Sequence, residues 1–370
     1  MIASLEGGGA ERQISDMANY WAGKGWTVIL ATWSGLEVAD FYPLDARVMR
    51  VSFANPANGA ARQSRIRVNL NRVAQLRRYL KVARPEVVLS FMCESNLLAI
   101  LAGARLDLRV AVSERVQPAY HTDFPWTWRI LRRILYRWAD EVIAQTQDAA
   151  QWLTRHCEAH VTVIPNALRA LPEPSREKQR LIVAVGRLTH QKGFDILLRA
   201  FARIAAEFKD WRVAIIGEGA ERDNLMRLRE ELMLDDRVDF VGQIPDVLDW
   251  MDHAGMVVQP SRFEGFPNVV LESMGLGAVV VSADCPSGPA DLIQDGVNGR
   301  LVPVDDADAL AHVMADLISR PDERARLGRA ATGVRERYRQ DVVMGRWEEC
   351  LFPNPAHAGP QNARGVSEAK

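Results

Sequence analysis

"LIVAVGRLTHQKGFDILLRAF", residues 181–201, decides the fold. Its first six residues are an apolar, β-branched run that suits a strand buried on both faces, and the stretch from Phe194 onward, FDILLRAFARIAAEF, has the patterning of a helix. A glycine-bearing loop joins the two. It carries Arg187 just past the strand end and Lys192 two residues before the helix start. Two cations at the carboxyl end of a strand suit a diphosphate, Arg through its planar fork and Lys as a point charge. The alternative is a pair of solvated surface cations.

The same strand–helix unit recurs in both directions. Toward the carboxyl terminus, RVAIIG (212–217), VDFVG (238–242), GMVVQP (255–260) and AVVVS (278–282) read as further buried strands. Toward the amino terminus, WTVILA (26–31), EVVLSF (86–91), RVAVS (109–113), EVIAQ (141–145) and VTVIP (161–165) do the same. Between them NRVAQLRRYLKVA sets Val73, Leu76, Leu80 and Ala83 on one helical face and Arg72, Arg77, Arg78 and Lys81 on the other. The alternation breaks only at LRALPEPSREKQR (168–180), which is rich in Pro and charge and reads as a linker.

The expected architecture is therefore α/β: two doubly wound, Rossmann-like domains of parallel strands facing across a cleft. Ligands in such sheets bind beyond the carboxyl ends of the strands. The boundaries read as 1–167 for the first domain, whose opening strand is short or truncated, and 181–334 for the second. A last helix over 335–352 crosses back, and 353–370, without apolar period, reads as a disordered tail.

Composition excludes several classes. In 370 residues 46 Lys and Arg face 47 Asp and Glu, so no global charge points to nucleic acid. The halves differ, with 21 basic and 16 acidic residues in 1–175 against 25 and 31 in 176–370, which makes the first half the one suited to an anionic surface. Cys93, Cys157, Cys285 and Cys350 are scattered, with neither a CxxC pair nor a His at metal-ligand spacing, and read as reduced thiols of a cytoplasmic protein. NLLAILAGA, the longest apolar run, is about half of the ~20 residues a membrane span needs. No basic-then-apolar leader opens the chain.

Two further stretches carry chemistry. In RFEGFPNVVLES (262–273) a Gly265-Phe266-Pro267-Asn268 turn opens a helix whose free N–H groups favour phosphate, with Glu264 before the helix and Glu272 about one turn inside it. The carboxylates read as two separate hydrogen-bond anchors, or as a surface residue and an ordinary helix charge. In SLEGGGAER (4–12) the Gly7-Gly8-Gly9 turn enters a helix and lets backbone N–H groups approach a phosphate or sugar. GEGAER (217–222) does not complete a dinucleotide fingerprint, because Arg222 stands where the third glycine belongs.

The segment 113–143 interleaves Trp126, Trp128 and Trp138 with Arg129, Arg132, Arg133 and Arg137. It reads either as a helix that docks on an anionic bilayer or as a packing helix whose inner face is Ile130, Ile134, Leu135 and Trp138. Glu114 and His121 in this region are candidates for an acceptor pocket.

Four motifs in order, SLEGGGAER, VGRLTHQKGFDILLRAF, RFEGFPNVVLES with its E-x7-E spacing, and DCPSGPADLIQDGVNGRLVP, resemble those of retaining GT-B glycosyltransferases of family 4, the group that builds bacterial surface polysaccharides and lipid-linked oligosaccharides. The resemblance runs from about residue 3 to about 350. It implies a hexosyltransferase acting on a nucleotide-sugar donor such as a UDP-sugar, with Arg187 and Lys192 on the diphosphate, Glu264 on the transferred sugar and Glu272 on the ribose. It also places Phe266 and Asn268 amides near the phosphates and sugar, and Gly242 to Ile244 beside the base. It implies no cofactor and no required metal, a glycan or polyprenyl-diphosphate-linked acceptor, and work in the cytoplasm or at the inner face of the cytoplasmic membrane. The rival readings are a non-catalytic sugar-nucleotide-binding or partner subunit, and a nucleotide-sugar epimerase or hydrolase of the same fold.

Overall fold

A computed structural model describes residues 1–6, 8–35, 40–54, 65–120, 125–174 and 177–353. Gly7, His121 and the expected tail lie outside the described residues, apart from the tail's first residue, Pro353. The chain divides into two compact units. One comprises 1–145, 149–164 and the segment from Val343 on; the other comprises Thr146–Asp148 and Pro165–Val342.

The first unit holds helices α1 (Gly9–Gly23), α2 (Arg65–Ala83), α3 (Cys93–Gly103), α4 (Trp126–Leu135) and most of α5 (Gln147–Cys157). Its strands are β1 (Ile29–Thr32), β2 (Met49–Ser52), β3 (Val87–Phe91), β4 (Arg109–Ser113), β5 (Glu141–Ala144) and β6 (Val161–Val163). The ladders β1–β2 and β3–β4–β5–β6 are parallel throughout. The opening residues lie between these two ladders: the Ile2 N–H donates to the Ala31 carbonyl (3.1 Å), and the Met1 carbonyl accepts from the Phe91 N–H (2.9 Å). A few residues thus do the work of a strand.

The second unit contains β7 (Leu181–Val185), α6 (Phe194–Ile204), β8 (Arg212–Ile216), α7 (Arg222–Glu231), β9 (Val238–Gly242), α8 (Leu248–His253) and β10 (Met256–Gln259). It continues with α9 (Asn268–Gly275), β11 (Val280–Ala283), α10 (Pro289–Leu292), β12 (Arg300–Val302), α11 (Ala307–Ser319), α12 (Pro321–Ala331) and α13 (Val334–Arg337). Its strand order is β12-β11-β10-β7-β8-β9, all parallel. The chain builds outward from β7 to β9 and then returns to lay β10 on the other flank of β7. The topological switch therefore falls between β7 and β10, where a doubly wound sheet opens a ligand crevice.

Period-two alternation accounts for the double burial of this sheet. Ile182 and Ala184 of β7 join one core with Phe194, Leu197 and Phe201 of α6, while Val183 and Val185 join the opposite core with Val270, Leu271 and Met274 of α9. That is why the strands read as continuous apolar runs.

The last helix, α14 (Gln340–Leu351), contributes its residues from Val343 on to the first unit. Trp347 is buried there beside Phe91 with ring centroids 6.1 Å apart, and Glu348 pairs with Lys24 at 2.7 Å. Residues read as linker are not all linker: Leu168 is buried in the second unit's core.

Helix α4 departs from the packing-face reading. Of the four residues expected inward only Leu135 is buried; Ile130, Ile134 and Trp138 are exposed, and Arg132 is buried beside Leu135. The cation is tolerated because its guanidinium lies 4.8 Å over the Trp152 ring, donates to the Pro118 carbonyl (3.2 Å) and faces the Glu114 carboxylate at 3.8 Å.

Candidate active site

At the switch point the loops after β7 and β10 are fastened together. The Arg262 N–H donates to the Gln191 carbonyl (2.8 Å), and Gln191 Nε2 donates to the Phe263 carbonyl (2.9 Å). Arg262 also grips Asp195, in the first turn of α6, with two parallel bonds of 2.9 and 2.8 Å, and reaches Asp305 at 2.7 Å. Burial alone would raise the Asp195 pKa, but the Arg262 pairing outweighs it and holds the carboxyl below its ordinary value. Gly193 adopts φ +65°, and its lack of a side chain lets the start of α6 close on the Pro260 carbonyl.

This clamp sets Lys192 against Glu264. The ammonium donates to both carboxylate oxygens, at 2.7 and 3.0 Å, and Gln259 Nε2 at the end of β10 donates to the same carboxylate at 2.7 Å. Gln259 is itself oriented by a 2.6 Å bond to Ser261 Oγ. Glu264 is thus a buried carboxylate fixed by three hydrogen bonds from two side chains, four residues before α9, with the geometry of a preorganised charge rather than a mobile surface acid. The neighbouring Cys285 is buried, and that burial together with the Glu264 charge pushes its thiol up to about 12.

The remaining residues singled out by sequence fall into place as follows. Arg187 is exposed on the loop after β7. Gly265, Phe266, Pro267 and Asn268 form the turn into α9, where Phe266 and Pro267 are buried. The Asn268 N–H donates to the Phe266 carbonyl at 3.0 Å within the turn. Its side-chain oxygen accepts from Asn166 Nδ2 at 2.8 Å. Glu272 is buried one turn on, and Arg169 donates to it at 3.2 Å. The two carboxylates take different cations, Lys192 and Arg169. Gly242 ends β9 with its carbonyl accepting from the Gly217 N–H (2.9 Å), and Ile244 packs against the apolar core.

Gly8 and Gly9 belong to the first unit, Gly8 as the residue preceding α1 and Gly9 as its first residue. Glu114 is also there, and the acceptor-pocket reading for it is corrected. Its side chain is buried, accepts a 2.7 Å bond from the Tyr136 hydroxyl and faces Arg132. Burial pushes its pKa up, against the pull of Arg132 and Tyr136. Its place is inside the core beneath α4.

Sequence reasoning missed Gln259, Arg262, Asn166 and Arg169. For Gln259 and Arg262 a signal existed, since both lie at the carboxyl end of a recognised strand. Arg169 had none, because it stands in a stretch with no periodicity.

Comparison with known proteins gives the following. Residues 8–167 match the model described as a glycosyl transferase 4-like domain, and residues 171–334 match glycosyl transferases group 1. A Campylobacter jejuni α-1,4-N-acetyl-D-galactosaminyltransferase named for an undecaprenol-diphosphate-linked acceptor is 28% identical over 316 residues, 84% of this chain and 86% of the relative. The amylovoran biosynthesis glycosyltransferase AmsD of Erwinia amylovora is 24% identical over 93% of this chain and 96% of its own. Among solved structures, sucrose-phosphate synthase from Thermosynechococcus elongatus superposes with a TM-score of 0.81 at 20% identity, over 95% of this chain and 98% of that one. Anabaena Alr3699/HepE in complex with UDP gives 0.78 at 20% identity with the same coverage.

Proposed function

The chain belongs to the GT-B glycosyltransferases, and on that premise we propose that it is a retaining hexosyltransferase that moves a hexose or N-acetylhexosamine from a UDP-sugar onto a glycan or polyprenyl-diphosphate-linked acceptor. The observation that carries the reading is the Lys192–Glu264–Gln259 cluster at the switch point between β7 and β10. Support for the nucleotide and the acceptor comes from the UDP held by the Anabaena protein and from the undecaprenol-linked substrate named for the Campylobacter relative. The amylovoran biosynthesis relative supports a place in polysaccharide biosynthesis.

In this reading the bond from the anomeric carbon to the diphosphate oxygen breaks while the acceptor oxygen bonds to the same face of that carbon. The acceptor proton passes to the departing diphosphate. Negative charge grows on the diphosphate, where Arg187 and the third N–H of Lys192 receive it. Positive charge grows at the anomeric carbon, where the fixed Glu264 carboxylate stabilises it more than it stabilises the bound sugar, which is the condition for a higher turnover rate. Glu272 and the Gly242–Ile244 segment take the ribose and base.

The test is a transfer assay with UDP-sugars and a diphosphate-linked lipid acceptor, run beside a thermal-shift titration with UDP, GDP and ADP. UDP at 100 times its dissociation constant should stabilise the fold by about 2.7 kcal/mol. Glu264→Ala should keep that shift and lose transfer by at least about 100-fold. Steady donor breakdown without acceptor would instead indicate a hydrolase or epimerase. A cooperative melt that no nucleotide moves would defeat the donor assignment.

A further inference from the structure

Helix α4 is built inside out. Its inner side carries the buried Arg132 (1% exposed) and Leu135, while Trp126 (70%), Ile130 (46%), Ile134 (40%) and, just past its end, Trp138 (60%) are exposed. These four recur every fourth residue and so form one stripe along the helix. Among the described residues, the contacts that hold the helix are made by its other side, by Arg132 with Glu114, Pro118 and Trp152 and by Leu135 and Trp128 on the core. An exposed apolar stripe of this size is a surface that another phase or molecule covers.

The charges beside the stripe choose the occupant. Arg129, Arg133 and Arg137 are exposed, Arg133 lying 6.0 Å over the Trp152 ring and Arg137 facing the exposed Glu158 carboxylate at 3.8 Å, and the fourteen residues from Pro125 to Trp138 contain no Asp or Glu. Trp at either end of an apolar stripe, with arginines beside it, matches the acyl boundary and anionic phosphates of a bilayer surface. The helix spans only ten residues, and no described helix is long and apolar enough to cross a membrane, so the contact is a docking in the interface plane. The buried Arg132–Glu114 pair fixes which face is presented.

We propose that the α4 surface, Trp126, Ile130, Ile134 and Trp138 with Arg129, Arg133 and Arg137, is a docking site for an anionic phospholipid membrane. The inference goes beyond the donor chemistry, and its test uses no sugar.

The experiment is flotation of the full chain with phosphatidylcholine vesicles, with and without 30% phosphatidylglycerol. Ile130→Ser/Ile134→Ser and Arg129→Gln/Arg133→Gln are compared with the parent chain, and retention of the parent's melting temperature serves as the fold control. The parent should float with the anionic vesicles and largely remain in solution with the neutral ones. Each double variant should lose about tenfold or more in vesicle partitioning, since binding scales with buried apolar area plus attraction to anionic lipid. No flotation of the parent with anionic vesicles at low salt would overturn the proposal. So would self-association, seen in sedimentation, that Ile130→Ser/Ile134→Ser abolishes while vesicle binding persists, because the stripe would then be an interface between copies. Equal binding to neutral vesicles would refute the role given to the arginines.

Discussion

Lys192 and Glu264, a half-buried ammonium on a buried carboxylate, illustrate why such an ion pair is better read as a functional device than as a stabilising one. Withdrawing two charges from water costs much of what their attraction returns, so the pair contributes little net stability, yet removing one partner strands the other. Lys192→Ala should therefore destabilise the second unit by about 3–5 kcal/mol, and Lys192→Met/Glu264→Gln should recover most of it, as urea unfolding will measure. A recovered double variant that still fails to transfer sugar would separate the catalytic role from the structural one. Asp195 gives a pH signature. Its folded pKa lies below the ordinary 3.8, chiefly through the Arg262 bonds that outweigh burial, so its contribution is present above pH 3.8 and lost as pH falls through the lowered value. Urea midpoints between pH 5 and 2 should fall more steeply for the parent than for Asp195→Asn.

At the scale of elements, the site is two loop-to-helix junctions held in register. The clamp of Arg262, Asp195 and Gln191 joins the loops after β7 and β10, and the Gly193–Pro260 approach leaves no room for a side chain between them. Gly193→Ala forces an L-residue into a left-handed conformation, which costs about 1–2 kcal/mol before any clash with the Pro260 carbonyl is counted. The larger effect should fall on the donor: a displaced loop carries Lys192 with it, and calorimetric affinity for UDP should drop at least about tenfold, one factor of ten being only about 1.4 kcal/mol. An unchanged affinity would mean that the loop position is not what organises the diphosphate site.

At the scale of the whole molecule, two units each with its own core share one chain that returns at its end to the unit where it began. Trp347 is the anchor of that return, and Trp347→Ala should cost the first unit about 3–5 kcal/mol. Hydrogen exchange should quicken in β3 and α1 while residues 181–302 keep their protection and UDP still binds. Faster exchange spread evenly over both units would contradict this division of stability. The strands and the two α/β repeats were legible in the sequence because a parallel strand buried on both faces leaves a continuous apolar run, and the motifs at the strand ends were legible because their chemistry is local. Glu264 and Lys192 stand 72 positions apart, and nothing linear pairs them; the strand order that sets β10 beside β7 does. Arg169 lay hidden in an aperiodic stretch for the same reason. Amphipathic pattern also failed at α4, where periodicity alone assigns Ile130 and Ile134 inward, because which side of a helix faces the core depends on what the core offers. Here it offers a carboxylate and an indole ring, and a buried arginine takes the place that an aliphatic side chain would otherwise fill.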